Sequence, residues 1–179
     1  MIPLQPFLVG AGPLQDQEMR AGSLSLSEAW GGELLQHCCS ENPQQVLGAQ
    51  ANGQGLVQLS GDVAMVHPGG GSWLEALGAW RQPIILLVKP MISGEIPGVA
   101  PAYVALCSLL AVPLVGVVQL GGRWTPQMRR ADGLPWCGWI SDGQHQQHAW
   151  KAANGDISSQ EIEPEAVAAH LRRRMLNSI

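Results

Sequence analysis

Five consecutive apolar residues, Ile84-Ile85-Leu86-Leu87-Val88, stand between Pro83 and Pro90 in "QPIILLVKP" with no polar residue among them. A strand with one wet face alternates apolar and polar side chains, whereas a strand covered on both faces does not. The run therefore predicts a buried strand of a parallel sheet, which in turn requires helical crossovers on both faces. The neighbouring sequence supplies them. "WLEALGAWR" repeats Trp73, Leu74, Leu77 and Trp80 at helical spacing behind Ser72 as a cap, and "PAYVALCSLLA" reads as a helix with Pro101 in its first turn. "VPLVGVVQL" reads as a further buried strand, and Val63 to Val66 as an earlier one. Strand, helix, strand, helix, strand predicts right-handed crossovers and a single three-layer α/β/α domain, residues 1–179, with a mainly parallel sheet.

The flanks carry weaker signals. Residues 1–22 are poorly defined by pattern, with "FLVGAG" as an edge strand. "SLSLSEAWGGELLQHCCSEN" suggests a helix from about Ser27, capped by Ser25 or Ser27, with Glu28 in its first turn. Trp136 to Ile140 forms a short late strand, and "EPEAVAAHLRRRML" a closing helix with Pro164 at its start and Arg172-Arg173-Arg174 in its last turns, where the dipole favours cations.

Composition excludes several classes. Of 179 residues, 46% are hydrophobic and 13% charged, with a net charge of −4 and lysine only at positions 89 and 151. That is too few cations for a nucleic-acid surface. The charge-free stretch from Ile96 to Gly122 is long enough to span a bilayer, but Pro97, Pro101 and Pro113 divide it into a helix and a strand, so no membrane association is expected. Cys38, Cys39, Cys107 and Cys137 form no CxxC pair, and the N-terminus lacks a basic leader, so a reduced, cytoplasmic setting is the expectation. With so few charges, a sheet edge or helix face is expected to self-associate, giving a homodimer or higher homo-oligomer.

The candidate site is "HPGGGS", His67 to Ser72, between a strand and a helix. Glycine-rich turns in that position expose backbone N–H groups beside a positive helix end and hold anions, and the same glycines also serve a bare tight turn. His67, Gly69, Gly70, Gly71, Ser72 and Glu75 are the residues assigned to a small anionic ligand, and no cofactor is named by them. A Walker A lysine is missing, since neither lysine follows a glycine. "GAGPLQ" keeps two glycines of a dinucleotide fingerprint but has Gln15 for the third. No GxSxG elbow is present, so a hydrolase reading lacks its nucleophile, and Ser72 and His67, five residues apart across a turn, have no assignable orienting acid. His145 and His148, with Asp142, offer three metal-ligand types in a loop, while "HCC" at 37–39 places its members in different directions on a helix. Trp73, Trp80, Trp136 and Trp139, among seven tryptophans, serve either packing or stacking on a base or sugar.

From Asp62 to about residue 176 the order of motifs resembles dethiobiotin synthetase and its relatives of the P-loop superfamily. "DVAMVHPGGG" resembles the family's strand and glycine-rich substrate loop, "QPIILLVKP" its next central strand, "PGVAPAYVALCSLLAVPLVGVVQ" the following helix and strand, "GLPWCGWI" its late strand and "EPEAVAAHLRRRML" its terminal helix. The resemblance implies a phosphate or substrate loop at Gly69, Gly70 and Gly71. It also locates two departures: the N-terminal P-loop is missing, and the acid that would serve magnesium is His67. It thus implies a non-hydrolysing relative, binding a small anion or acting as a protein-interaction module. A second resemblance, of Gly70, Gly71, Ser72 and Glu75 to nucleotide-sugar glycosyltransferases, implies instead a transferase using a nucleotide-linked donor.

Overall fold

A computed structural model describes residues 5–12, 14–50, 53, 55–142 and 164–178. Its strands are β1 (Phe7–Gly10), β2 (Leu34–Cys38), β3 (Leu56–Ser60), β4 (Ile84–Val88), β5 (Leu114–Leu120) and β6 (Trp136–Ile140). They form one sheet in the order β2-β3-β1-β4-β5-β6, and every pairing is parallel. The helices are α1 (Asp16–Trp30), α2 (Pro43–Gln50), α3 (Trp73–Ala79), α4 (Val99–Leu109), α5 (Pro126–Asp132) and α6 (Pro164–Ser178). None among the described residues is long and apolar enough to cross a membrane.

The β4 run shows why the layers form. Ile84, Leu86 and Val88 pack with Leu74 and Leu77 of α3 and Tyr103 and Cys107 of α4, whereas Ile85 and Leu87 pack on the other side with Met19 and Leu26 of α1 and Val167 and Leu171 of α6. Alternation along one unbroken apolar strand thus feeds two cores. This is the expected single α/β/α domain, with α1 and α6 on one face and α2, α3 and α4 on the other.

Several local expectations are corrected. "FLVG" is the centre of the sheet, fully buried between β3 and β4. The helix expected from Ser27 instead ends there: α1 starts at Asp16 and stops at Gly31, whose φ of 72° places it in the left-handed region and whose N–H donates to the Ser27 carbonyl at 3.0 Å. Ser27 is therefore near a C-terminus and no N-cap, and His37 and Cys38 lie on edge strand β2. The strand expected at Val63–Val66 is β3 at Leu56–Ser60. Past it, the Asp62 carboxylate accepts from the Ala64 N–H at 3.0 Å and turns the chain out of the sheet.

The arginine cluster also has another role than expected. α6 continues to Ser178, so the arginines are not in its last turn. Arg172 instead donates to the carbonyls of Ala29 and Trp30 and lies 4.9 Å from the centre of the Trp30 ring, so it caps α1. Arg174 donates to the Val115 carbonyl at 2.7 Å.

Candidate functional site

Because all six strands run parallel, the loops that follow them share one edge. The chain moves from β1 outward to β2 and back to β3 on one side, then to β4, β5 and β6 on the other. The switch point, where such sheets bind ligands, lies between β1 and β4. The turn from Gly10 to Gln15 leaves β1 there and opens α1, and it occupies the strand–loop–helix place in which a phosphate-binding loop stands. Its residues do not match that role. No lysine is present in the turn, and Asp16 and Glu18 occupy the first turn of α1, matching the positive helix end with the protein's own carboxylates.

Lys89, one residue beyond β4, joins this edge. Its ammonium donates to Glu18 Oε1 and stands 3.5 Å from Asp142 Oδ2 beyond β6. Both carboxylates are largely buried. Burial alone pulls the Lys89 pKa down, but the bond to Glu18 and the charges of Glu18 and Asp142 outweigh it and hold it above the usual lysine range. On the β3 side, the Tyr103 hydroxyl of α4 donates to Asp62 Oδ1. Burial, reinforced by the Asp62 charge, pushes the Tyr103 pKa well above normal, while the backbone N–H groups of Ala64 and Gly12 act in the opposite sense. A tyrosine side chain thus stands against the turn after β1.

The glycine loop is built from within. Val66 and Ser72 form an isolated antiparallel bridge, and Gly70 and Gly71 turn between them at φ 88° and 69°. The His67 N–H donates to the Gly71 carbonyl at 2.7 Å, the Gly70 N–H to the His67 carbonyl at 2.8 Å, and the Gly69 N–H to His67 Nδ1 at 3.0 Å. His67 Nε2 lies 3.2 Å from the Ser40 carbonyl oxygen. Ser72 caps α3 as expected: the Glu75 N–H donates to its Oγ and Glu75 Oε2 accepts from its N–H, a complete capping box. The structure brings all six assigned residues together in one loop and the first turn of α3, where Gly69, Gly70, Ser72 and Glu75 direct their N–H groups to acceptors within the same segment.

The other flagged residues separate. Burial is the main cause that pushes the half-buried Cys39 thiol up to about 12, with Cys38 and Asp62 adding to it. Trp73 is core and donates to the Cys39 carbonyl at 3.0 Å, whereas Trp80 is exposed and donates to Gln44 at 2.7 Å. Trp136 meets Trp124 edge-on at 5.8 Å and lies under the Arg129 guanidinium at 5.3 Å. His145 and His148 lie outside the described residues. Among the described residues no group of three ligand-type side chains could hold a metal. Sequence reasoning missed the roles of Tyr103, Lys89 and Glu18. The signal available was scarcity, since the chain has a single tyrosine and two lysines.

Fold and edge together define a parallel α/β/α domain whose strand-end edge carries side chains paired with one another. No protein-family model matches the chain, and no curated protein matches it. Among solved structures it is similar to that of a DUF1611 family protein from Anabaena variabilis, at 13% identity and a TM-score of 0.51, over 97% of this chain and 58% of that one. At that identity the likeness shows the fold alone. This chain spans 58% of that protein's length.

Proposed function

We propose that this chain is a protein-interaction module on a dethiobiotin synthetase-like layout, without ATP-driven chemistry, and that its partner is a second copy of itself. One observation carries the reading. On the edge where relatives of this architecture bind ligands, the polar groups pair with one another, while apolar side chains of two loops face solvent. Met65 and Val66 follow β3, Met91 and Ile92 follow β4, and Val66 and Ile92 are 77% and 108% exposed. The two strands flank β1, so the loops leave the sheet roughly 10 Å apart, two strand spacings. Exposed apolar groups gathered at one edge mark an interaction surface. A patch of four uncharged side chains offers no charge to select an unlike partner, which favours self-association. His67 to Glu75 then brace the Met65–Val66 loop, since their donors are engaged within it.

The test is sedimentation velocity over a concentration series, with Val66→Asp/Ile92→Asp as the variant. The wild type is expected to shift from monomer toward dimer as concentration rises, and the variant to stay monomeric with an unchanged melting temperature. A monomeric wild type throughout, or equal association of the variant, overturns the reading. A thermal-shift arm with phosphate and with magnesium ATP addresses small anions. A ligand at a hundred times its Kd adds about 2.7 kcal/mol, or several degrees here, and such a shift would return the function to the glycine loop.

A further inference from the structure

Four buried polar atoms without a hydrogen-bond partner belong to β5, α5 and β6: Gln119 Oε1 near the carboxyl end of β5, Arg129 Nε on α5, Trp136 Nε1 at the first residue of β6 and Trp139 Nε1 near its last. Gln119 is 0% and Arg129 2% exposed. Register sets Gln119 beside Trp139, and Val117 beside Trp136. Their strand neighbours Val118, Leu120, Cys137 and Ile140 pack toward α1 and α6, so Gln119, Trp136 and Trp139 share the opposite face of the sheet. Arg129 of α5 lies over the Trp136 ring on that face.

The remaining polar atoms of these side chains are accounted for. Gln119 Nε2 donates to the carbonyls of Gly121 and Arg123, at 2.8 and 3.2 Å. Arg129 directs one Nη to Asp132 at 2.9 Å and the other to the Gly94 carbonyl, which balances its charge. What is left is three N–H donors and one carbonyl acceptor in aromatic surroundings. A buried donor left unpaired carries its full desolvation cost, and a native fold seldom gathers several in one place without something to complete them. The complement is rich in acceptor oxygens, carries one donor, and has a flat apolar body to lie among indoles.

We propose that this face binds a small planar hydroxycarboxylate, the carboxylate accepting from Arg129 Nε–H and the indole N–H groups and the hydroxyl donating to Gln119 Oε1. The inference is independent of the docking loops. The test uses 15N-labelled full-length protein, whose seven tryptophans give seven indole N–H signals, with Trp73→Phe, Trp136→Phe and Trp139→Phe assigning three of them. Titration with 4-hydroxybenzoate is expected to move the Trp136 and Trp139 signals saturably and leave the Trp73 signal in place. Benzoate, without the hydroxyl, is expected to bind about ten-fold more weakly, as is 4-hydroxybenzoate to Trp139→Phe. Signals that stay put in tens of millimolar ligand while showing exchange with bound water overturn the proposal, as does a uniform drift of all seven. If Trp136→Phe fails to fold, Trp139→Phe and the benzoate comparison still decide the matter.

Discussion

Three helical glycines make a graded test of how the layers pack. In an exposed helix interior, glycine to alanine adds about 1 kcal/mol of stability through propensity alone, so any departure measures what the new methyl meets. At Gly48 in α2 a Cβ comes no closer than 3.8 Å, to the Trp80 ring, an ordinary contact. Gly48→Ala is therefore expected to stabilise, by about half the full propensity because α2 ends two residues later. At Gly22 in α1 the Cβ falls 2.4 Å from Cδ1 of Leu120, a fully buried side chain that must repack. Overpacking of that kind costs about 1–2 kcal/mol, which roughly cancels the gain or slightly exceeds it. At Gly78 in α3 the Cβ falls 2.2 Å from the Leu110 carbonyl oxygen, which is backbone and belongs to the turn between α4 and β5. There a helix or a turn must move, at about 3 kcal/mol, and because α3 ends one residue later only about half the propensity offsets it, leaving a net loss of about 2.5 kcal/mol. For a chain of this size, 1 kcal/mol shifts the melting temperature by about 2–4 °C. Differential scanning fluorimetry is expected to rank the variants Gly48→Ala above wild type, Gly22→Ala at or just below it, and Gly78→Ala about 5–10 °C below it. A Gly78→Ala protein as stable as wild type would refute the reasoning, because it would mean that α3 does not approach the Leu110 turn as closely as described.

The edge cluster yields further predictions. Lys89→Met leaves Glu18 and Asp142 together without their cation; removing one partner of a buried pair costs about 3–5 kcal/mol, discounted here to about 2 because Lys89 is one-third exposed. Urea denaturation is expected to show that loss at neutral pH. Tyr103→Phe removes a bond to a carboxylate and is expected to cost about 1.5–3 kcal/mol in the same assay. The pH dependence of the parent protein follows from two raised pKa values. A group whose pKa is higher folded than unfolded contributes stability that is complete below its unfolded value and is lost as pH rises through the folded one. Lys89 and Tyr103 both fall in that class, so stability is expected to hold to about pH 10 and then decline. Tyr103 is the sole tyrosine, so tyrosinate absorbance reports it directly. Ionisation near the ordinary value of about 10, in protein that remains folded, would show that its hydroxyl is not buried against Asp62.

The central half of the fold was legible because its signals are local. The β4 run, the α4 helix, the β5 valines and the Ser72 cap each state their structure within about ten residues, and each stands where the pattern puts it. The N-terminal half misled for the same local reason. Only four residues of β1 are strand, too few for any period, and whether such a piece is an edge or the centre depends on where β3 and β4, some fifty and eighty residues on, come to lie. The pattern from Ser27 reads as a helix that runs on through Gly31-Gly32, and the structure ends a helix there instead. The left-handed geometry of Gly31 and the Arg172 cap, which arrives from the far end of the chain, decide for the stop. The same distance rule governs the site. The glycine loop announces itself in six letters, and its hydrogen bonds are equally local. The groups that pair along this edge come from five separate places, Glu18, Asp62, Lys89, Tyr103 and Asp142, and no spacing in the sequence links them. The edge of a parallel sheet collects residues from every loop, so the legible motif in such a chain is the turn that shapes one loop. The chemistry of the edge emerges only from the order of the strands.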